Sequence, residues 1–479
     1  MNRYITTTLP YVNADPHIGF ALEAVQADVI ARAWRAQGDE VFFSTGTDEH
    51  GQKIFEAAQK AEQSVQDYAD HYALEFQKLK GALDLSNDTF VRTTDPAHVR
   101  AAQEIWRRCV EKGDIYKKTY TGLYCVGCES FKTEKEVVDG TCPLHPNADL
   151  KEVSEENYFF KFSGYQEKLL TYLERPGVIT PEWRRTEAIN FVKGGLEDFS
   201  ISRETVRLSW GIPVPGDESQ VMYVWFDALT NYISTLGWPH SAEAARGEPD
   251  LFEKFWVNGK TLQVAGKDQV RFQSLMWQAM LLSADIKNTD SVFYHGFIIS
   301  GGQKMSKSVG NVINPLDLVE EYGTDAVRYV LLRHVSPSED SDLTLEAIRE
   351  HYTAHLTNGL GNLVARVMKL AETHLVEPVH PVEVRLPQEY TDAIGAFEFN
   401  KAMDLIWSRI TALDERITSE KPFAIVKEDA EKGRTLIGEL VAEVRQIGHL
   451  LAPFTPATSE LIAKAVLENK KPENLFPRL

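Results

Sequence analysis

The chain has 479 residues, enough for several domains with large cores. Its 43% hydrophobic and 25% charged content is that of an ordinary globular protein, and no apolar run approaches the roughly 20 residues that span a bilayer. A formal net charge of −19 excludes a protein that coats nucleic acid indiscriminately, although local basic surfaces remain compatible with it. Residues 351–479 carry 15 Lys and Arg against 18 Asp and Glu, so most of the acidic excess lies upstream.

Met1-Asn-Arg-Tyr enters a strand at once, without a signal or transit pattern, and predicts a cytoplasmic address. Ile5–Leu9 is a short β-branched run that reads as a buried strand. Pro10, Asn13 and Asp15-Pro16 break it, and a helix is predicted from about Gly19 to Trp34. His17 and Gly19 then sit at a helix N-terminus, where backbone N–H groups and the helix dipole favour an anion.

Alternating strand-like and helix-like segments continue to residue 113, the pattern of a doubly wound α/β domain. The second strand leads into Gly46-Thr-Asp-Glu-His-Gly51. In such sheets ligands lie at the C-terminal strand ends, so Asp48 and His50 are expected to face the same cleft as His17. The bland reading of Asp48 is a helix cap.

From 114 to 224 the alternation lapses into an insertion. It holds Cys125-Val-Gly-Cys128 and, thirteen residues on, Cys142-Pro-Leu-His145. Two pairs of soft ligands at knuckle spacing predict a closed tetrahedral Cys₃His zinc site, structural because no position stays open. A disulfide is the weaker alternative in a reducing compartment. Cys109 reads as a small core residue on the helix around Trp106.

Val221–Tyr232 reads as a strand running into a helix that carries Trp225 and Tyr232, and residues 225–295 return to the α/β pattern. Leu262–Asp268 is a strand ending in a glycine turn at Gly266. Ser291–Ser300 is predicted to be a hairpin delivering the loop Gly301-Gly-Gln-Lys-Met-Ser-Lys-Ser308, whose lysines and serines suit a polyphosphate. Helices follow in 296–350, with Thr324 as the expected N-cap of one. Residues 351–479 read as all-helical, punctuated by prolines.

His17-Ile-Gly-Phe20 and Lys304-Met-Ser-Lys-Ser308, in this order, resemble the two signatures of class I aminoacyl-tRNA synthetases. The Gly46–Gly51 run and the Val221–Tyr232 segment resemble those of methionyl-tRNA synthetases with a single zinc knuckle, and the likeness covers essentially the whole chain. It implies a Rossmann-like catalytic domain in two halves (1–113 and 225–295), the insertion at 114–224 with its knuckle at 125–145, a stem-contact region at 296–350 and a helical anticodon-binding domain at 351–479. It also implies ATP with Mg²⁺, one structural Zn²⁺, L-methionine and tRNA(Met) as substrates, and a monomer, since no dimerisation module follows Leu479.

The same likeness assigns residues. ATP would be held by His17, Gly19, Gly266, Asp268, Lys304 and Lys307, with His17 and the two lysines as the catalytic groups. Methionine would be held by Leu9, Tyr11, Asp48, Trp225, Tyr232 and Gln273, with Asp48 on the α-ammonium. An aromatic slot suits the polarizable thioether. Asn362, Arg366 and Phe423 would read the anticodon. Three positions depart from the family pattern: Phe20 replaces the second His of the first signature, Gln273 replaces a pocket His, and Phe423 replaces a stacking Trp. Rival readings are a small nucleotidyltransferase, which would need neither knuckle nor helical domain, and a tRNA-binding relative without catalysis.

Overall fold

Six parallel strands run through the first of two compact units, which comprises Met1–Pro16, Gly38–Lys78 and Asn87–His295. The computed structural model describes residues 1–126, 130–132, 137–143, 150–239, 250–305, 312–379 and 386–479. The strands are β1 (Asn2–Thr6), β2 (Glu40–Thr47), β3 (Thr89–Arg92), β4 (Ile179–Thr180), β5 (Lys260–Gly266) and β6 (Ser291–His295). Their order across the sheet is β3-β2-β1-β5-β6-β4. Every neighbouring pair is parallel, with Thr6 opposite Ser44 on one side and Gln263 on the other.

Parallel strands are covered on both faces, which is why Thr261–Gly266 is buried without a break and why Tyr4, Ile5 and Thr6 all lie inside. The chain moves outward from β1 to β3 and later returns on the other side of β1. The order therefore reverses between β1 and β5, and such a switch point opens a crevice at the carboxyl ends of the two strands. Gly46 marks close packing beside it: a Cβ there would lie 1.9 Å from the Val91 carbonyl oxygen, so only glycine fits.

Within 114–224 the chain builds two antiparallel sheets. The larger pairs Ile115–Cys125 with Leu150–Phe160 along their full length and adds Ser130–Lys132 and Phe199–Ser200. The smaller joins Pro213–Val214, Asp217–Met222 and Ser202–Glu204. This segment also supplies the edge strand β4 to the main sheet, a role that its two-residue length hides in the sequence.

The second unit comprises His17–Gln37, Leu79–Ser86 and Gly296–Leu479. It contains the helix Ile18–Ala36, one residue earlier at its start than the sequence suggests, and a mostly helical region from Pro315 onward. A continuous helical run passes from Leu345 to His374, with wide turns at Tyr352–Gly361. The Phe399–Glu420 and Ala430–Leu451 helices supply buried leucines, isoleucines and valines to its core.

A buried ion pair ties the pieces of this unit together. Arg328 and Asp28 are both fully buried and 2.8 Å apart. The guanidinium also donates to the carbonyls of Leu83, Pro453 and Phe454 at 2.7–3.0 Å. The Asp28 carboxylate accepts from the amide and hydroxyl of Ser86, both at 2.6 Å. Hydrogen bonding on this scale is what makes a buried pair tolerable.

Two local expectations are corrected. Thr324 does not cap its helix: Gly323 holds the cap position, and the Thr324 hydroxyl donates instead to the Ala82 carbonyl at 2.8 Å. The hairpin lies further along than 291–300, because Ser291–His295 belongs to the parallel sheet. Ile298–Ser300 turns back on Gln303–Lys304. Its two-residue turn, Gly301-Gly302, has φ of +63° and +74°, and two positive φ values in succession call for glycine. Both turn amides donate to the Asp342 carboxylate at 2.8 Å, which fixes the turn.

Candidate active site

In the first unit the predicted methionine residues cluster at the carboxyl ends of β1, β2 and β5. Tyr11, just past β1, forms an isolated bridge with Asp48, just past β2. The Asp48 amide donates to the Pro10 carbonyl at 2.9 Å, and the Val12 amide to the Asp48 carbonyl at 3.2 Å. Asp48 is 2% exposed and is no helix cap, since the next helix begins at Gln52 behind Gly51. The Tyr11 ring meets Trp225 edge-on at 6.1 Å, and Trp225 stacks on Phe272 at 3.9 Å.

Tyr232 and Gln273 are both buried, and the Gln273 amide donates to the Tyr232 hydroxyl at 2.5 Å. The Gln273 Oε1 is buried and accepts no hydrogen bond among the described residues. An unsatisfied acceptor in an apolar setting is costly unless a ligand or water meets it. Trp225 and Tyr232 lie on two short helices, Val224–Ala228 and Asn231–Ser234, and not on one. Leu9 is half-buried in the segment after β1. Gly266 ends β5, and the exposed Asp268 follows in a single 3₁₀ turn.

Sequence reasoning missed the scaffold beneath this cluster. Asp227 is fully buried and accepts from His50 Nδ1 at 2.7 Å and His98 Nε2 at 2.8 Å. His98 Nδ1 in turn lies 2.9 Å from the Ser234 hydroxyl. Burial alone would raise the Asp227 carboxyl, but the rings of His50 and then His98 hold it below the usual carboxylate range. Beside it, Glu49 is buried and takes both Nε and Nη2 of Arg92 at 2.6 and 2.8 Å, while its carbonyl accepts the Trp210 indole N–H at 2.6 Å. Asp48, Glu49 and His50 are thus each anchored to a different neighbour. The available signal was Asp227 itself, a carboxylate within the apolar run Val224-Trp-Phe-Asp-Ala-Leu229.

In the second unit His17 is the N-cap of the Ile18–Ala36 helix, and its Nδ1 accepts from the Gly19 amide at 3.1 Å. A Cβ at Gly19 would come within 2.9 Å of the His17 ring, so any other residue there would push that ring aside. The Phe20 ring lies 4.2 Å from that of His17, tilted by 30°. The Ile18 amide donates to the Ile313 carbonyl at 3.0 Å. This bond joins the first signature to the segment just after the second, whose Lys307 lies outside the described residues. Lys304 pairs with Ile299 through its backbone in the hairpin.

Of the predicted zinc ligands, Cys128 and His145 lie outside the described residues. Cys125 and Cys142 are 0% and 1% exposed, and neither forms a disulfide. Buried thiols, Cys125 at the end of the Ile115–Cys125 strand and Cys142 next to the Val138–Thr141 bridge, are of the ligand type that suits a soft cation. Cys109 is a core residue of the Pro96–Glu111 helix, as its surroundings in the sequence suggest, with its thiol pushed up to about 12 by burial. In the helical region Asn362 is exposed, Arg366 pairs with Asp414 at 2.5 Å, and the Phe423 ring is 49% exposed.

Known proteins share this architecture. A family model described as tRNA synthetases class I (M) matches residues 3–153 and 145–368. A methionine–tRNA ligase of Fusobacterium nucleatum is 38% identical over 491 residues, covering 99% of this chain and 76% of the relative. One of Rhizobium meliloti is 40% identical over 473 residues, covering 95% and 90%. The solved Mycobacterium tuberculosis methionyl-tRNA synthetase in complex with methionyl-adenylate superposes with a TM-score of 0.88 at 35% identity, covering 100% of this chain and 99% of that one.

The doubly wound sheet and the two matched segments are those of a class I tRNA synthetase. Within that class the chain belongs to the methionine–tRNA ligase family.

Proposed function

We infer that this chain activates L-methionine with ATP, forming methionyl-adenylate and pyrophosphate, and then transfers methionine to the 3′-terminal ribose of tRNA(Met). In the first step a methionine carboxylate oxygen attacks the α-phosphorus and pyrophosphate leaves. In the second a ribose hydroxyl oxygen attacks the acyl carbonyl carbon and AMP leaves. No protein nucleophile is needed, so catalysis is positioning plus stabilisation of phosphate charge.

The buried Asp48 carboxylate would hold the α-ammonium. Leu9, Tyr11, Trp225 and Tyr232 would line the side-chain slot, and Gln273 would present its unsatisfied Oε1 to it. Asp268 would accept the ribose hydroxyls of ATP beside Gly266. His17, Gly19, Lys304 and Lys307 would serve the phosphates, with Mg²⁺ entering on ATP through phosphate oxygens and water. Cys125, Cys128, Cys142 and His145 would hold a zinc ion that braces the insertion. Asn362, Arg366 and Phe423 would read anticodon bases by hydrogen bonding and stacking. The described cysteines, Cys109, Cys125 and Cys142, carry free thiols that support a reducing, cytoplasmic setting, and the chain would act as a monomer.

The observation that carries this reading is the bond from Ile18 N–H to the Ile313 carbonyl, which ties the His17 helix N-terminus to the chain that follows the lysine signature. Aminoacylation of purified tRNA(Met) with labelled methionine tests it. Charging that needs methionine, ATP and the tRNA is expected; charging with another amino acid in preference to methionine would refute it.

A further inference from the structure

We propose that His334, His351 and His355 form a binding site for a borderline divalent transition cation such as Zn²⁺, separate from both the ligase site and the cysteine knuckle. His334 ends the Thr324–Arg333 helix. His351 and His355 stand four residues apart on the helical run that begins at Leu345, the spacing that sets two imidazoles on one helix face. One nitrogen from each of the three rings lies within 4.8 Å of the others. Zn–N bonds of about 2.0–2.1 Å place tetrahedral ligands roughly 3.3 Å apart, so closing the set takes side-chain rotations that draw the nitrogens together and turn the rings out of their near-parallel stack.

The surroundings favour ligation. Tyr329 Oη lies 2.9 Å from His334 Nε2 and 2.7 Å from His355 Nδ1, and Arg333 donates to the same hydroxyl at 2.8 Å. One hydroxyl therefore orients both rings: the ring that donates N–H to it keeps its opposite nitrogen as a lone pair, and the ring that accepts its O–H offers one after a change of tautomer. The His334 and His351 rings are parallel and 3.5 Å apart, an arrangement that two imidazolium ions would not keep. The nearest cation, Arg333, is paired with Asp404 at 3.0 Å, which lessens its repulsion of a metal. Three imidazoles suit zinc, nickel or cobalt, and leave room for water. A bound ion would tie the end of the Thr324–Arg333 helix to the run leading to Asn362 and Arg366.

The test uses the full chain as purified, with its resident metal counted first. Titration with zinc chloride, followed by calorimetry and thermal unfolding, is expected to show one further zinc with a Kd at or below about 10 µM and a higher Tm. His351→Gln and His355→Gln should each weaken that event by about 10–100-fold or more and leave the resident metal count unchanged. Should either variant unfold, Co²⁺ added to the wild type gives a second readout. Weak visible bands without thiolate charge-transfer absorption are expected. No zinc uptake below about 100 µM, equal uptake by both variants, or cobalt bands of thiolate type alone would overturn the proposal.

Discussion

The Asp48–His50 corner and the Asn362–Arg366 helix face are both singled out for ligand recognition, yet they are built in opposite ways. Asp48 and His50 are 2% and 6% exposed, and the corner hangs on Asp227, Arg92 and two backbone bonds. Arg366 is held by one carboxylate at the surface, and Phe423 stands half in solvent. A small amino acid offers few contacts, so its pocket must be fixed before it arrives. Splayed nucleotides bring large flat faces, and exposed side chains can rearrange to meet them. Changes in the corner should therefore disturb folding and adenylation together, whereas changes on the helix face should leave both alone.

The largest expected effect lies with neither region but sets the scale for both. Lys307→Ala should lower the exchange kcat by about 10²–10³-fold with little change in methionine KM, because its charge counts most in the transition state. Steady-state kinetics check this, and a change within a few-fold would remove Lys307 from its role. Asp227→Asn comes next. It should cost about 1.5–3 kcal/mol in urea unfolding at pH 7, the worth of hydrogen bonds to a buried charge. Because the folded-state carboxyl is held low, its contribution is complete above the ordinary value of about 3.9 and fades as pH falls below it. The gap between mutant and wild type should therefore close in acid.

On the exposed side, Arg366→Ala and Phe423→Ala should weaken tRNA charging by about 1–3 kcal/mol in kcat/KM, the worth of one stacked base. Pyrophosphate exchange and stability should be unchanged, and Phe423→Trp should be tolerated. If either alanine variant lost exchange activity, the contrast between the two regions would fail. The smallest effects are expected from restoring family residues. Phe20→His should be neutral or slightly worse, because Phe20 packs on His17 and a single reversal leaves its neighbours unchanged. A clear rise in exchange kcat would overturn this.

Legibility in the sequence followed contact range. The turn and helix around His17 were readable because their signals are local, and the two-residue Gly301-Gly302 turn lies inside the predicted loop. The strand expected at Ile5–Leu9 instead runs Asn2–Thr6, because the β-branched run continues past the last paired residue. The hairpin was misplaced because Ser291–His295 is apolar enough for either a hairpin or a buried parallel strand, and periodicity does not separate these. Thr324 has cap chemistry, but a tertiary acceptor at Ala82 claimed its hydroxyl. The Asp227 network was invisible because it joins residues 177 and 129 positions apart, which no local pattern encodes. The His351 and His355 spacing was in plain view, whereas their convergence with His334 needed the fold.

The central claim is that this chain makes methionyl-adenylate, and ATP–pyrophosphate exchange measures that step without tRNA. The purified chain should incorporate labelled pyrophosphate into ATP only when L-methionine and Mg²⁺ are present, with the other amino acids giving background. Exchange that proceeds without methionine, or none at saturating methionine and ATP, would contradict the account.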